Sequence, residues 1–224
     1  GKDRRAGRRP LLAARRPTGG GGPRLQPLAL VGDLGADVAD ALVAAGFEAI
    51  EVPLNSPEPF RSIEMIAKKF GGDILVGAGT VLSPSAVDRL KVAGGRLMVA
   101  PNVDTSVLAR AGELGMVTMP GVFSPTEALT AIAAGATALK FFPASVIGAS
   151  GIKAISAVLP ANAVIGAVGG VSELDFETYA ASGIRLFGLG SSIFRPGMDV
   201  ARISERARKA VAAWDAVFTG TLEA

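Results

Sequence analysis

The chain has 224 residues, a formal net charge of +3, and neither cysteine nor histidine. That composition excludes disulfides, cysteine nucleophiles, imidazole-based triads, and thiolate or imidazole metal sites, so acid–base chemistry falls to Glu, Asp, Lys, Tyr or water. No run of about 18 apolar residues is free of glycine, proline or charge, so no membrane span is expected; the arginine-rich start lacks an apolar signal core, so a cytoplasmic location is expected.

Residues 1–26 mix Arg, Gly, Pro and Ala without period, including Gly19-Gly20-Gly21-Gly22. They predict a disordered tail, or an artefact of out-of-frame translation, preceding a single domain over residues 27–224. A basic, aromatic-free tail can attract nucleic acid nonspecifically, but disorder is the simpler reading and no nucleic-acid partner is expected.

From residue 27 short apolar runs alternate with amphipathic stretches that close on a small residue and glycine. Ala44-Ala45-Gly46 precedes the run Phe47–Leu54, Gly71-Gly72 precedes Asp73–Val76, and Val92-Ala93-Gly94-Gly95 precedes Arg96–Ala100. Glu113-Leu114-Gly115, Ala133-Ala134-Gly135 and Ala181-Ser182-Gly183 precede Met116–Met119, Ala136–Phe142 and Ile184–Leu189, while Pro160 precedes Ala163–Val168. These are seven strands, with Pro27–Gly32 as an irregular candidate for the first. Alternation of this kind implies a parallel sheet covered by helices. The even repeat predicts a (β/α)8 barrel; a doubly wound open sheet is second, weakened by the lack of a Gly-x-Gly-x-x-Gly turn. In a barrel the active site collects at the C-terminal ends of the strands.

Several residues at those ends carry chemistry. Glu51 sits between Ile50 and Val52, so alternation turns it away from its apolar neighbours, which is costly unless the carboxylate is paired or functional. Gly77-Ala78-Gly79-Thr80-Val81 reads as a glycine turn after the third strand, with the Thr80 hydroxyl as a polar contact. Pro101 and Pro120 read as the ends of strands four and five. Lys140 lies in Ala136–Pro143, among apolar residues where an ammonium ion is out of place. It is either a strand-end lysine that snorkels or pairs with Glu51, or a desolvated amine nucleophile. The last two strands end in Val168-Gly169-Gly170-Val171 and Gly188-Leu189-Gly190-Ser191-Ser192. Two glycine-rich turns there point to a phosphate site, with helix caps at Ser172 or Ser192 as the purely structural alternative. A lysine, a glutamate and a phosphate cradle together suggest a Schiff-base enzyme acting on a phosphorylated ketone.

Four segments taken together, Glu51–Pro57, Gly77–Val81, Ala138–Pro143 and Ala167–Val171, resemble the class I 2-keto-3-deoxy-6-phosphogluconate/6-phosphogalactonate aldolases over about residues 37–217. Pro53-Leu54-Asn55-Ser56-Pro57 is similar to the phosphogalactonate branch, as is Val168 where the phosphogluconate branch has threonine. The resemblance implies a barrel in which Lys140 forms the Schiff base and Glu51 moves protons, giving pyruvate and D-glyceraldehyde 3-phosphate. It also implies that Thr80, Pro101 and Val168 contact substrate and that Gly169, Gly170, Gly190 and Ser191 hold the phosphate. No metal or organic cofactor is implied, and the family is typically a homotrimer of carbohydrate catabolism. The same chemistry on the gluconate epimer, a non-catalytic phosphate-binding barrel, or a phosphate-binding isomerase or decarboxylase remain alternatives. One departure stands out: the branch carries an arginine for the substrate carboxylate at the end of strand one, and counting back from Gly46 puts Leu28 at that position.

Overall fold

The computed structural model describes residues 28–30 and 35–219; the tail over residues 1–26 lies outside them. The strands are β1 (Leu28–Leu30), β2 (Ala49–Pro53), β3 (Leu75–Gly79), β4 (Leu97–Val99), β5 (Val117–Met119), β6 (Gly121–Val122), β7 (Leu139–Phe141), β8 (Ile165–Val168) and β9 (Leu186–Leu189). Between them run helices α1 (Ala36–Ala45), α2 (Pro59–Phe70), α3 (Pro84–Val92), α4 (Thr105–Glu113), α5 (Pro125–Ala133), α6 (Ala144–Ser156), α7 (Phe176–Ala180) and α8 (Val200–Thr219). Local chemistry explains their limits. Ser83 and Ser124 cap α3 and α5, each followed by a proline at the first helical position, and Ser124 forms a reciprocal box with Glu127. Gly46 ends α1 at φ 106°, a conformation that glycine adopts without a β-carbon penalty.

Every strand pairing is parallel, and the order is β5-β4-β3-β2-β1-β9-β8-β7-β6. The two ends of that order, β5 and β6, are separated only by Pro120, so Val117–Val122 is one interrupted strand that closes the ring. The fold is a (β/α)8 barrel. Pro120 therefore does not end the fifth strand. It lacks an N–H and breaks the ladder for one residue, and Gly121 resumes pairing opposite Lys140. The third strand also runs further than expected, because Gly77–Gly79 belong to β3 rather than to a turn. The first strand is short, yet it pairs with β2 on one side and β9 on the other.

Alternation along the strands divides the core into two layers. Ile50, Val52, Val76, Met98, Leu139, Phe141, Phe187 and Leu189 face outward and pack under the helices. Leu28, Leu97, Val99, Met119, Ala138, Val168 and Leu186 fill the barrel interior. Residues of the inward parity include Glu51 on β2 and Lys140 on β7, so the barrel itself carries both groups inside. No helix among the described residues is long and apolar enough to cross a membrane.

Candidate active site

Among the described residues only four polar or charged side chains are buried: Glu51, Ser62, Thr118 and Lys140. Thr118 is satisfied by a hydrogen-bonded exchange with Thr137. Glu51 and Lys140 are the only ionisable members, and they are 2% and 6% exposed. Each is given room by glycine. Lys140 is flanked in the ladder by Gly121 and Gly166, and Glu51 by Gly77. A β-carbon on Gly79 would collide with the Glu51 carboxylate itself.

Burial dominates the electrostatics of both groups. Desolvation raises the Glu51 carboxyl to about 7, against the opposing pull of the Lys140 charge. Desolvation lowers the Lys140 amine, against the Glu51 charge. The two side chains feel each other without closing an ion pair within 4.0 Å, and Glu51 Oε2 is buried with no hydrogen-bond partner among the described residues. The simple structural reading, a satisfied internal ion pair, is therefore not what the interior contains. Lys140 Nζ instead lies 4.6 Å from the Phe142 ring centroid.

The proposed phosphate turns follow β8 and β9, next to each other in the ring. Gly169 and Gly170 both have positive φ, 90° and 72°. A β-carbon on Gly169 would meet the Phe142 ring, and one on Gly170 would meet Ser145 Oγ. Phe142 thus lies between the lysine and the first phosphate turn. The N–H groups of Gly170, Val171, Ser191 and Ser192 find no acceptor among the described residues, which leaves them available to an anion. Ser172 is an N-cap, accepting from Leu174 N–H in a box with Asp175. Ser192 is not, because its Oγ is buried without a partner. No helix follows β9 directly; Ser191–Ile193 form a turn.

Of the other expected residues, Thr80 directly follows Gly79 and is held at φ 56°, a left-handed conformation that strains a β-branched residue and often marks a functional site. The Pro101 carbonyl lies against Gly121, next to Lys140 in the ladder. Val168 faces inward beside Gly188, two residues beyond the glycine that pairs with Lys140. Leu28 sits in the interior apolar cluster, level with Ala49 at the start of β2. A cation there would lie two residues before the level of Glu51, toward the N-terminal ends of the strands and away from the expected site, so counting at constant loop length does not locate the carboxylate partner. Sequence reasoning missed Ser145, whose N–H donates to Gly169 O at 3.0 Å, and Phe142. Their only signal was their place directly after Lys140.

Residues 33–206 match the family model for KDPG and KHG aldolases. The chain is 60% identical over 183 residues, covering 82% of it and 86% of the relative, to a protein of Rhizobium meliloti (strain 1021) named probable 2-dehydro-3-deoxy-6-phosphogalactonate aldolase. A solved structure described as native KDPGal is 40% identical, with a TM-score of 0.84, covering 88% of this chain and 97% of that one. The KDPG aldolase of Legionella pneumophila, solved with pyruvate captured as a covalent carbinolamine intermediate, is 27% identical, with a TM-score of 0.72 and coverage of 87% and 95%. The chain belongs to the KDPG and KHG aldolase family.

Proposed function

We propose that the protein is a class I carbon–carbon lyase that cleaves 2-dehydro-3-deoxy-6-phosphogalactonate to pyruvate and D-glyceraldehyde 3-phosphate. The observation that carries this reading is the burial of one amine and one carboxyl, each shifted toward its neutral form, in the same barrel interior.

A lysine whose amine is depressed by burial is available unprotonated to attack the C2 ketone. The resulting carbinolamine loses water to a protonated Schiff base. Loss of the C4 hydroxyl proton then breaks the C3–C4 bond, its electron pair moves onto the imine nitrogen, and the aldehyde leaves. The enamine takes a proton at C3, and water hydrolyses the imine to free pyruvate and Lys140. Glu51, with a carboxyl near 7, both accepts and returns protons at neutral pH. Thr80, Pro101 and Val168 line the reacting end, and the backbone of Gly169, Gly170, Gly190 and Ser191 holds the phosphate. The Legionella relative was solved with pyruvate captured as a covalent carbinolamine intermediate, which supports the same chemistry here.

The galactonate epimer is favoured by Pro53–Pro57 and Val168, and by names: the relatives at 60% and 40% identity carry the galactonate name, the one at 27% the gluconate name. Pyruvate release from the two C4 epimers under identical conditions tests the assignment, with kcat/KM expected to be higher on the galactonate epimer. A homotrimer belongs to the same reading, supported by exposed apolar residues such as Leu82, Phe123 and Val146; light scattering would read it directly.

A further inference from the structure

We propose that Arg206, carried on α8, is a positioning residue for the substrate phosphate, holding the Ser191–Ser192 turn in its binding conformation. The inference rests on the aldolase reading and adds a residue to it.

The turn has little scaffold of its own. It is closed by Gly190 O, which accepts from Ile193 N–H and Phe194 N–H at 2.9 Å each, and no helix follows it immediately. Two guanidinium groups complete it. Arg195 Nε donates to Ser191 O, and Arg206 Nη1 donates to Ser192 O, each at 3.2 Å. A trans peptide is planar, so its C=O and the next N–H point in opposite directions. Arg195, on the Ser191 carbonyl, therefore turns the Ser192 N–H, which has no acceptor among the described residues, to the other side; Arg206, on the Ser192 carbonyl, fixes the next peptide, whose Ile193 N–H donates to Gly190 O and closes the turn.

Arg195 is exposed and local, four residues from its acceptor. Arg206 is half-buried and reaches across fourteen residues from a helix that cannot easily move. Ile203, Ala207 and Ala210 of α8 are fully buried, and α8 packs on α1 and α7. The same helix touches the other phosphate turn's continuation: Lys209 Nζ lies 3.2 Å from Glu173 Oε1, just beyond Gly170-Val171-Ser172. One rigid helix therefore engages the segments that follow both β8 and β9, and so sets their spacing. A groove of about 1080 Å³ between α8 and these turns is lined by Arg195, Arg202, Arg206, Arg208 and Lys209 and by the carboxylates Glu173, Asp199 and Glu205. Its cations outnumber its carboxylates, so net positive charge lies behind a cradle that otherwise offers only backbone and hydroxyl donors. Charge-assisted hydrogen bonds of this kind order the loop before the dianion arrives, which reduces the cost of binding it.

Aldol synthesis from pyruvate and an aldehyde separates this role from a general one. With Arg206→Gln, KM for D-glyceraldehyde 3-phosphate should rise about tenfold, while kcat/KM for unphosphorylated D-glyceraldehyde stays within about twofold of wild type. Arg206→Lys, which keeps charge but not the planar fork, should fall between wild type and Arg206→Gln. Equal losses on both aldehydes, or no loss on either, overturn the proposal. If Arg206→Gln does not fold, Arg206→Lys carries the test, and an unchanged KM for the phosphorylated aldehyde overturns it. A wild-type protein that condenses pyruvate with neither aldehyde contradicts the aldolase reading itself; a working wild type with an indifferent Arg206 contradicts only the clasp.

Discussion

The carboxylate of Glu51 occupies the space that a β-carbon on Gly79 would need. Glu51 is on β2 and Gly79 on β3, in adjacent strands paired through Glu51–Gly77 and Pro53–Gly79. The glycine is thus a mould for the carboxylate rather than a hinge. Gly79→Ala should displace Glu51 and lower kcat by about 10²-fold or more, the usual size of a lost general acid–base group. The overpacking should cost about 1–3 kcal/mol of stability. Circular dichroism melting beside steady-state kinetics checks both; an active, unshifted Gly79→Ala enzyme would sink the proposed role of Glu51.

The raised carboxyl of Glu51 predicts an acid limb in the rate. If Glu51 acts as the base, kcat/KM should fall as pH drops below about 7. In Glu51→Gln the rate should be lower by about 10²- to 10⁴-fold and the limb near 7 should vanish. A wild-type profile flat from pH 5 to 8 would remove Glu51 from the proton steps.

The same shift has a signature in stability. The folded-state carboxyl lies above its unfolded value of 4.5, so its proton-linked stabilisation is fully present below 4.5 and is lost as pH rises through about 7. The amount is on the order of 3 kcal/mol. Glu51→Gln removes that loss, so the variant should gain stability relative to wild type between pH 5 and pH 8. Chemical denaturation at the two pH values reads it; a constant difference would mean that Glu51 is not desolvated as described.

Thr80 holds a left-handed backbone that costs on the order of 1–3 kcal/mol for a residue other than glycine. Thr80→Gly should therefore melt no lower than wild type while KM for the sugar acid rises several-fold. A large drop in Tm without a kinetic effect would show that the threonine is there for packing.

Much of this was readable from the chain alone, and particular residues show why. The period of small residue plus glycine located the strands, because the helix ends it marks are set by local backbone chemistry. Alternation around Ile50-Glu51-Val52 turned Glu51 away from its apolar neighbours, since a strand has a strict period of two, and Lys140 stood out as an ammonium ion among apolar strand residues. Three things were hidden because they depend on partners distant in sequence. Pro120 read as a stop, yet the ladder to β7 carries the strand across it. Gly77 and Gly79 read as a turn, yet they are strand positions emptied for Leu97 and Glu51. The contact of Arg206 with Ser192 has no sequence pattern at all, being fixed by where α8 packs.

Val168 faces the interior one step beyond the Lys140 level, where an added hydroxyl would alter what is offered to the substrate's C4 end. Val168→Thr changes shape little and should move the ratio of kcat/KM between galactonate and gluconate epimers toward gluconate by about tenfold. An unchanged ratio would place epimer choice elsewhere.

The central claim is that Lys140 is the nucleophile, and borohydride reduction in the presence of pyruvate tests it most directly. Reduction followed by proteolysis and mass spectrometry should place a pyruvate-derived adduct on the peptide containing Lys140, and Lys140→Met should show neither adduct nor turnover while keeping its fold. An adduct on another lysine, or turnover retained in Lys140→Met, would contradict the account.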